Sequence, residues 1–172
     1  MAERMELTRP VFFVGFMGAG KTSVARRLAR TCGVASVDMD TYIERREGKK
    51  VKEIFAEGGE EGFRAIETDV LRELGAKPDP LLISCGGGIV KRPENLRALH
   101  QNGIILFIDR PLDALTVGGG RPLSSSMDAL RQMEAQRRPL YLAAADAVIP
   151  NNGTLDEALR AAMEALDEIF DS

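Results

Sequence analysis

The stretch Gly15-Phe16-Met17-Gly18-Ala19-Gly20-Lys21-Thr22 constrains this chain more than any other, because it works in one setting, with a buried strand before it and a helix after it. Val11-Phe12-Phe13-Val14 supplies the strand, an unbroken apolar run of the kind buried on both faces of a parallel sheet. Val24, Ala25, Leu28, Ala29 and Cys32 supply the helix; they recur at the spacing of one buried face, while Arg26, Arg27 and Arg30 point toward solvent. In such a loop the glycines let successive backbone N–H groups turn inward around a β-phosphate. Lysine adds charge for the β- and γ-phosphates, and the threonine hydroxyl ligates Mg²⁺. Gly18, Ala19, Gly20, Lys21, Thr22 and Ser23 are therefore the candidate residues for ATP, with Thr22 the candidate Mg²⁺ ligand.

Four further apolar runs, Ala35 to Val37, Leu81 to Cys85, Ile104 to Ile108 and Ala147 to Ile149, read as short buried strands, each followed by a helical or loop-like segment. Strands alternating with helical crossovers predict a three-layer α/β architecture around a parallel five-stranded sheet. A length of 172 residues with 44% hydrophobic and 28% charged residues suits a single domain spanning 1–172. The last helix opens on a capping box, Thr154 and Glu157, and carries an apolar face of Leu155, Ala158, Leu159, Ala162, Met163, Leu166, Ile169 and Phe170. With a net charge of −3 and no long basic run, nothing marks a nucleic-acid or anionic-membrane partner. No apolar stretch approaches the ~20 residues of a spanning helix and the N-terminus lacks a signal-peptide core, so a cytoplasmic monomer is expected. Cys32 and Cys85 lack metal or redox spacing and read as buried small apolar residues, and the lone His100 supplies no triad.

Ligands of open α/β sheets collect at the carboxyl ends of the strands. There the second strand presents Asp38-Met39-Asp40, the third Gly86-Gly87-Gly88, and the fourth Asp109-Arg110. Beyond Asp109-Arg110, Val117 to Ser126 holds three glycines and three serines around Arg121, within a lid expected over about 111–127. If extended geometry persists through Asp38 and Asp40, both carboxylates face one side, one toward Mg²⁺ and the other toward an acceptor hydroxyl. The alternative is a helix N-cap. Asp109, also at the end of an apolar strand, is a rival for the metal role. Arg64 lies beside the apolar face Phe63, Ile66, Val70, Leu71 and Leu74, and Arg137-Arg138-Pro139-Leu140-Tyr141 adds a later basic site. Three consecutive glycines are costly in chain entropy and suit close approach of a ligand to backbone. No Asn-Lys-x-Asp guanine signature occurs, which argues against a GTPase and leaves a kinase for a small acceptor.

Together the phosphate loop, Asp38-Met39-Asp40, Gly62-Phe63-Arg64, Gly86-Gly87-Gly88, Arg121-Pro122-Leu123 and Arg137-Arg138-Pro139-Leu140-Tyr141 resemble the shikimate kinases in order and spacing, from about Val11 to Ile149. The resemblance implies a fold like that of nucleoside monophosphate kinases, sheet order 2-3-1-4-5, with substrate-binding helices over about 39–75. It also implies ATP-dependent phosphorylation of the shikimate 3-hydroxyl in aromatic amino-acid biosynthesis. By the same resemblance Asp40 holds the acceptor hydroxyls and serves as base, and Asp38 stands near Mg²⁺ with Thr22. Arg64 and Arg137 clamp the substrate carboxylate, Gly86 to Gly88 offer backbone to it, and Arg121 is the lid arginine that, with Lys21, stabilises the transferring phosphates. One departure is Leu115-Thr116 where the family commonly has Arg-Thr with the arginine on adenine; Thr154 and its neighbours are further candidates near the base. The rival readings are a gluconate or nucleoside monophosphate kinase of the same fold, or a non-catalytic kinase-like binding protein.

Overall fold

Alternation along the strands divides the core in two. A computed structural model describes residues 7–77, 79–112 and 127–171. In β1 (Val11–Val14), Phe12 and Val14 pack on one face of the sheet while Val11 and Phe13 pack on the other. The same split recurs in β3 (Leu81–Ser84) and β4 (Ile104–Asp109): Ile83, Ile105 and Phe107 join the first side, and Leu82, Leu106 and Ile108 the second. Strands buried on both faces need helices on both faces. The second side is covered by α1 (Lys21–Cys32) through Val24, Ala25 and Leu28, and by α6 (Leu155–Asp171) through Ala158, Ala162 and Leu166. The first side is covered by α2 (Met39–Glu47), α3 (Val51–Gly75), α4 (Pro93–Asn102) and α5 (Met127–Ala144). With β2 (Ala35–Asp38) and β5 (Ala147–Pro150), all pairings are parallel and the strand order is β2-β3-β1-β4-β5, as expected from the sequence.

This order places β1 at the centre, flanked by β3 and β4, so the loops leaving these strands open into one crevice. One expectation needs correction. β2 and β5 form the sheet edges and are only partly covered, Val148 being 43% exposed, rather than fully buried like the inner strands. The helical run from Val51 to Gly75 is broken at Gly59, where φ is +67° and ψ −170°, so Arg64 is carried by the second of two segments. The Thr154 hydroxyl accepts the Glu157 backbone N–H at 3.2 Å, so α6 opens on its anticipated cap. Both cysteines are free and buried. Among the described residues no helix is long and apolar enough to cross a membrane.

Candidate active site

The phosphate loop passes directly into α1. Gly20 caps that helix at φ +96°, and its carbonyl accepts from the Val24 N–H at 3.0 Å. The N–H groups of the first turn have no partner within the helix and make, with the helix dipole, an anion site at its N-terminus. Lys21, 8% exposed, crosses the loop and donates to the Gly15 carbonyl at 2.6 Å. Burial draws its pKa down to about 8, despite the nearby Asp40 and Asp38 carboxylates. Gly18, Gly20, Lys21, Thr22 and Ser23 line a cavity of about 330 Å³, closed on one side by Arg110.

The Thr22 hydroxyl shares a 3.0 Å hydrogen bond with that of Ser84, the last residue of β3, whose register partner in β2 is Asp38. Thr22, Asp38 and Ser84 line a common cavity of about 240 Å³. Their hard oxygens suit Mg²⁺, which takes one or two protein oxygens and completes its shell with phosphate and water. Among the described residues no group of three or more His, Cys, Asp or Glu gathers into a metal cage.

Asp38 ends β2 and caps α2: its carboxylate accepts the Asp40 N–H and the Thr41 hydroxyl, each at 3.2 Å. The helix therefore begins at Met39, and extended geometry does not persist to Asp40. The turn that Asp38 caps is the turn that carries Asp40 inward. The rival carboxylate, Asp109, is engaged elsewhere: Arg138 grips both its oxygens at 2.8 and 2.7 Å, with the guanidinium 5.7 Å from the Phe107 ring centroid.

The triple glycine is where side chains from three helices converge. A Cβ built on Gly86 would lie 3.2 Å from Glu67 Oε2 and 3.4 Å from Asp40 Oδ1. One on Gly87 would lie 3.2 Å from Arg137 Nη1, and one on Gly88 only 2.2 Å from Arg64 Nη2. Side chains from α2, α3 and α5 thus pack onto bare backbone after β3. The Arg64 guanidinium is held by Glu67 at 2.9 Å and Glu60 at 3.5 Å, and lies 5.2 Å from the Phe63 ring centroid. Glu67 is fully buried, and its second oxygen has no hydrogen-bond partner among the described residues. Burial raises the pKa of Asp40 and of Glu67 above the ordinary carboxylate values. Tyr141, its pKa pushed up to about 12 by burial, donates to the Gly87 carbonyl at 2.5 Å and fixes that peptide.

The structure thus brings together Lys21, Thr22, Asp38, Asp40, Arg64, Gly86 to Gly88 and Arg137 at one end of the sheet. Arg121, Leu115 and the expected lid, apart from its first two residues and Met127, lie outside the described residues. Sequence reasoning missed Glu67, Ser84, Tyr141 and Asn151 as site residues. Glu67 was within reach, since it sits three residues after Arg64 on a helix and interrupts an apolar face with an acid. Asn151 lies in what reads as an ordinary turn after β5, and nothing local distinguishes it.

Comparison with known proteins agrees with this geometry. Residues 17–167 match the family model described as shikimate kinase. A shikimate kinase from Dehalococcoides mccartyi is 35% identical over 174 residues, covering 98% of this chain and 95% of that protein. One from Nostoc sp. is 43% identical over 138 residues, covering 76% and 75%. Among solved structures, a shikimate kinase from Acinetobacter baumannii in complex with shikimate superposes with a TM-score of 0.85 at 35% identity, covering 96% of this chain and 95% of that one. With a phosphate loop at the head of α1, arginines gathered on the glycines after β3, a family model matched over residues 17–167 and relatives covered over three quarters or more of their length, this chain belongs to the shikimate kinase family.

Proposed function

We propose that the chain transfers the γ-phosphoryl group of ATP to the 3-hydroxyl of shikimate, giving 3-phosphoshikimate and ADP, a step of aromatic amino-acid biosynthesis. The observation that carries this reading is the convergence of Asp40, Arg64 and Arg137 on Gly86 to Gly88, beside the buried Lys21 of the phosphate loop. Two guanidinium groups suit a planar carboxylate, and a carboxylate suits an alcohol. A small anionic polyol is the ligand these groups can share.

Transfer of a phosphoryl group asks the protein mainly for position and charge. The helix α1 N-terminus and Lys21 hold the donor phosphates, while Arg64 and Arg137 hold the acceptor by its carboxylate. Glu67 keeps Arg64 aimed at the glycines, and Tyr141 keeps Gly87 in place. Asp40 accepts the hydrogen bond of the attacking hydroxyl and receives its proton as the new P–O bond forms and the bond to the leaving ADP breaks; its raised pKa suits that role. Thr22 and Asp38 would hold Mg²⁺, which supplies charge neutralisation between the phosphates. Arg121, outside the described residues, is proposed to add charge for the transferring phosphates, and one domain is proposed to span 1–172.

The deciding assay is ADP release with shikimate, gluconate or a nucleoside monophosphate as acceptor. Turnover is expected with shikimate alone; its absence there, or its presence with gluconate or a nucleotide, overturns the assignment.

A further inference from the structure

The loop after β5 carries a buried amide that reaches the phosphate loop. Asn151 is 6% exposed, and its Nδ2 donates to the Ala19 carbonyl at 2.7 Å. That oxygen can only accept, so the amide's NH₂ end must face it. The Asn151 backbone N–H donates to the Asp109 carbonyl at 2.8 Å, anchoring the residue to the end of β4 beside the last pair of the β4–β5 ladder. Nδ2 also lies 2.6 Å from where a Gly20 Cβ would stand, so the amide fills the space that glycine leaves open.

We infer that Asn151 is a positioning residue for nucleotide binding, aiming the Gly20 N–H at the β-phosphate. The peptide joining Ala19 to Gly20 is planar and trans, so its carbonyl and its N–H point to opposite sides. Holding the carbonyl outward against Asn151 turns the N–H inward, toward the cavity lined by Gly18, Lys21, Thr22 and Ser23. The next peptide is held independently, because the Gly20 carbonyl is engaged by Val24. Gly20 has φ +96°, a glycine-only conformation with a broad basin around it, and without the tether this peptide is free to flip. The inference rests on the phosphate-loop reading of the site.

The test uses two ligands that share phosphates but not a base: ADP and inorganic tripolyphosphate, titrated calorimetrically into the whole chain and into Asn151→Ala and Asn151→Asp. Loss of one aligned donor should weaken both ligands in Asn151→Ala by a similar factor, about tenfold. Asn151→Asp, nearly the same shape but with an acceptor facing an acceptor and a charge facing phosphate, should weaken both further. KM for shikimate at saturating ATP should stay within twofold. Weakening of ADP alone would mean that Asn151 acts at the base and would overturn the inference, as would unchanged affinities in both variants. A lowered melting temperature with unchanged affinity would also overturn it, marking a structural role only. If the unmodified chain binds neither ligand, the phosphate-loop reading itself fails and the inference falls with it.

Discussion

Replacing Gly88 by alanine isolates the proposed acceptor clamp from the rest of the molecule. Gly88 has φ −97° and ψ 10°, which alanine adopts without strain, so the backbone does not oppose the change. Its one consequence is steric: the new methyl would meet Arg64 at 2.2 Å from Nη2, 2.6 Å from Cζ and 2.7 Å from Nη1. To reach ordinary carbon contact distance the guanidinium must retreat by over ~1 Å. It cannot retreat freely, because Glu67 holds it at 2.9 Å and is itself fully buried. A displacement of this size at a substrate-positioning group costs about a hundredfold in rate, equivalent to ~2.7 kcal/mol of transition-state stabilisation. The expected result is a fall in kcat/KM for shikimate of about that size, with KM for ATP and the affinity for ADP unchanged. Stability should shift little, since alanine narrows the unfolded ensemble, a gain of ~0.4–1 kcal/mol that offsets the disturbance of the ion pair. ADP release measured against varied shikimate and varied ATP separates the two sides of the site. Gly58→Ala, where an added Cβ meets nothing within 4 Å, is the silent control. Combining Gly88→Ala with Arg64→Ala should cost no more than Arg64→Ala alone, because the group that clashes is gone. Wild-type kcat/KM in Gly88→Ala, or strict additivity in the double variant, would refute the clamp geometry.

Further outcomes follow from the same structure. Because burial lowers the Lys21 pKa to about 8, KM for ATP should climb about tenfold by pH 9, and Lys21→Arg should abolish the climb. The native state sheds this proton before the unfolded chain does. The Lys21 contribution to stability therefore grows as pH rises from about 8 toward the ordinary lysine value of 10.5, and urea titrations across that window should reveal it by comparison with Lys21→Met. Asp38→Asn should raise the Mg²⁺ concentration for half-maximal turnover about tenfold. Asp109→Asn should leave that requirement alone and instead lower the urea midpoint, since both Asp109 oxygens serve Arg138. Tyr141→Phe leaves the Gly87 carbonyl without its donor and should cost ~1 kcal/mol of stability together with a few-fold loss in kcat/KM for shikimate, read by urea unfolding and ADP release.

Several parts of this site are legible before any coordinates exist, because their chemistry is local. Glycines in a strand-to-helix turn followed by Lys21 and Thr22 mean phosphate wherever they occur, since the backbone N–H groups and the cationic side chain belong to one short segment. Alternating apolar runs and helical faces likewise predict the parallel sheet and its layers. Asp38 and Asp40 were readable as a pair but not in their geometry: strand and helix propensities compete over three residues, and the outcome depends on a cap that only folding completes. Asp38 and Asp109 are equal candidates in the sequence because each ends an apolar strand; what the fold adds is the bidentate grip on Asp109 by Arg138, 29 positions away.

The sequence by itself determined which chemical groups this protein owns: a phosphate loop, the guanidinium groups of Arg64 and Arg137, the carboxylates of Asp38 and Asp40 and bare backbone at Gly86 to Gly88. The tertiary structure alone decided how they are held. Glu67 against Arg64, Tyr141 against Gly87 and Asn151 against Ala19 are contacts between different turns or elements, spanning 3, 54 and 132 positions of chain. Local propensity carries no information about pairs so far apart, and even the short pair acquires its meaning only from burial. A buried carboxylate, hydroxyl or amide must find a partner, and which partner it finds is set by the packing of helices on both faces of one sheet.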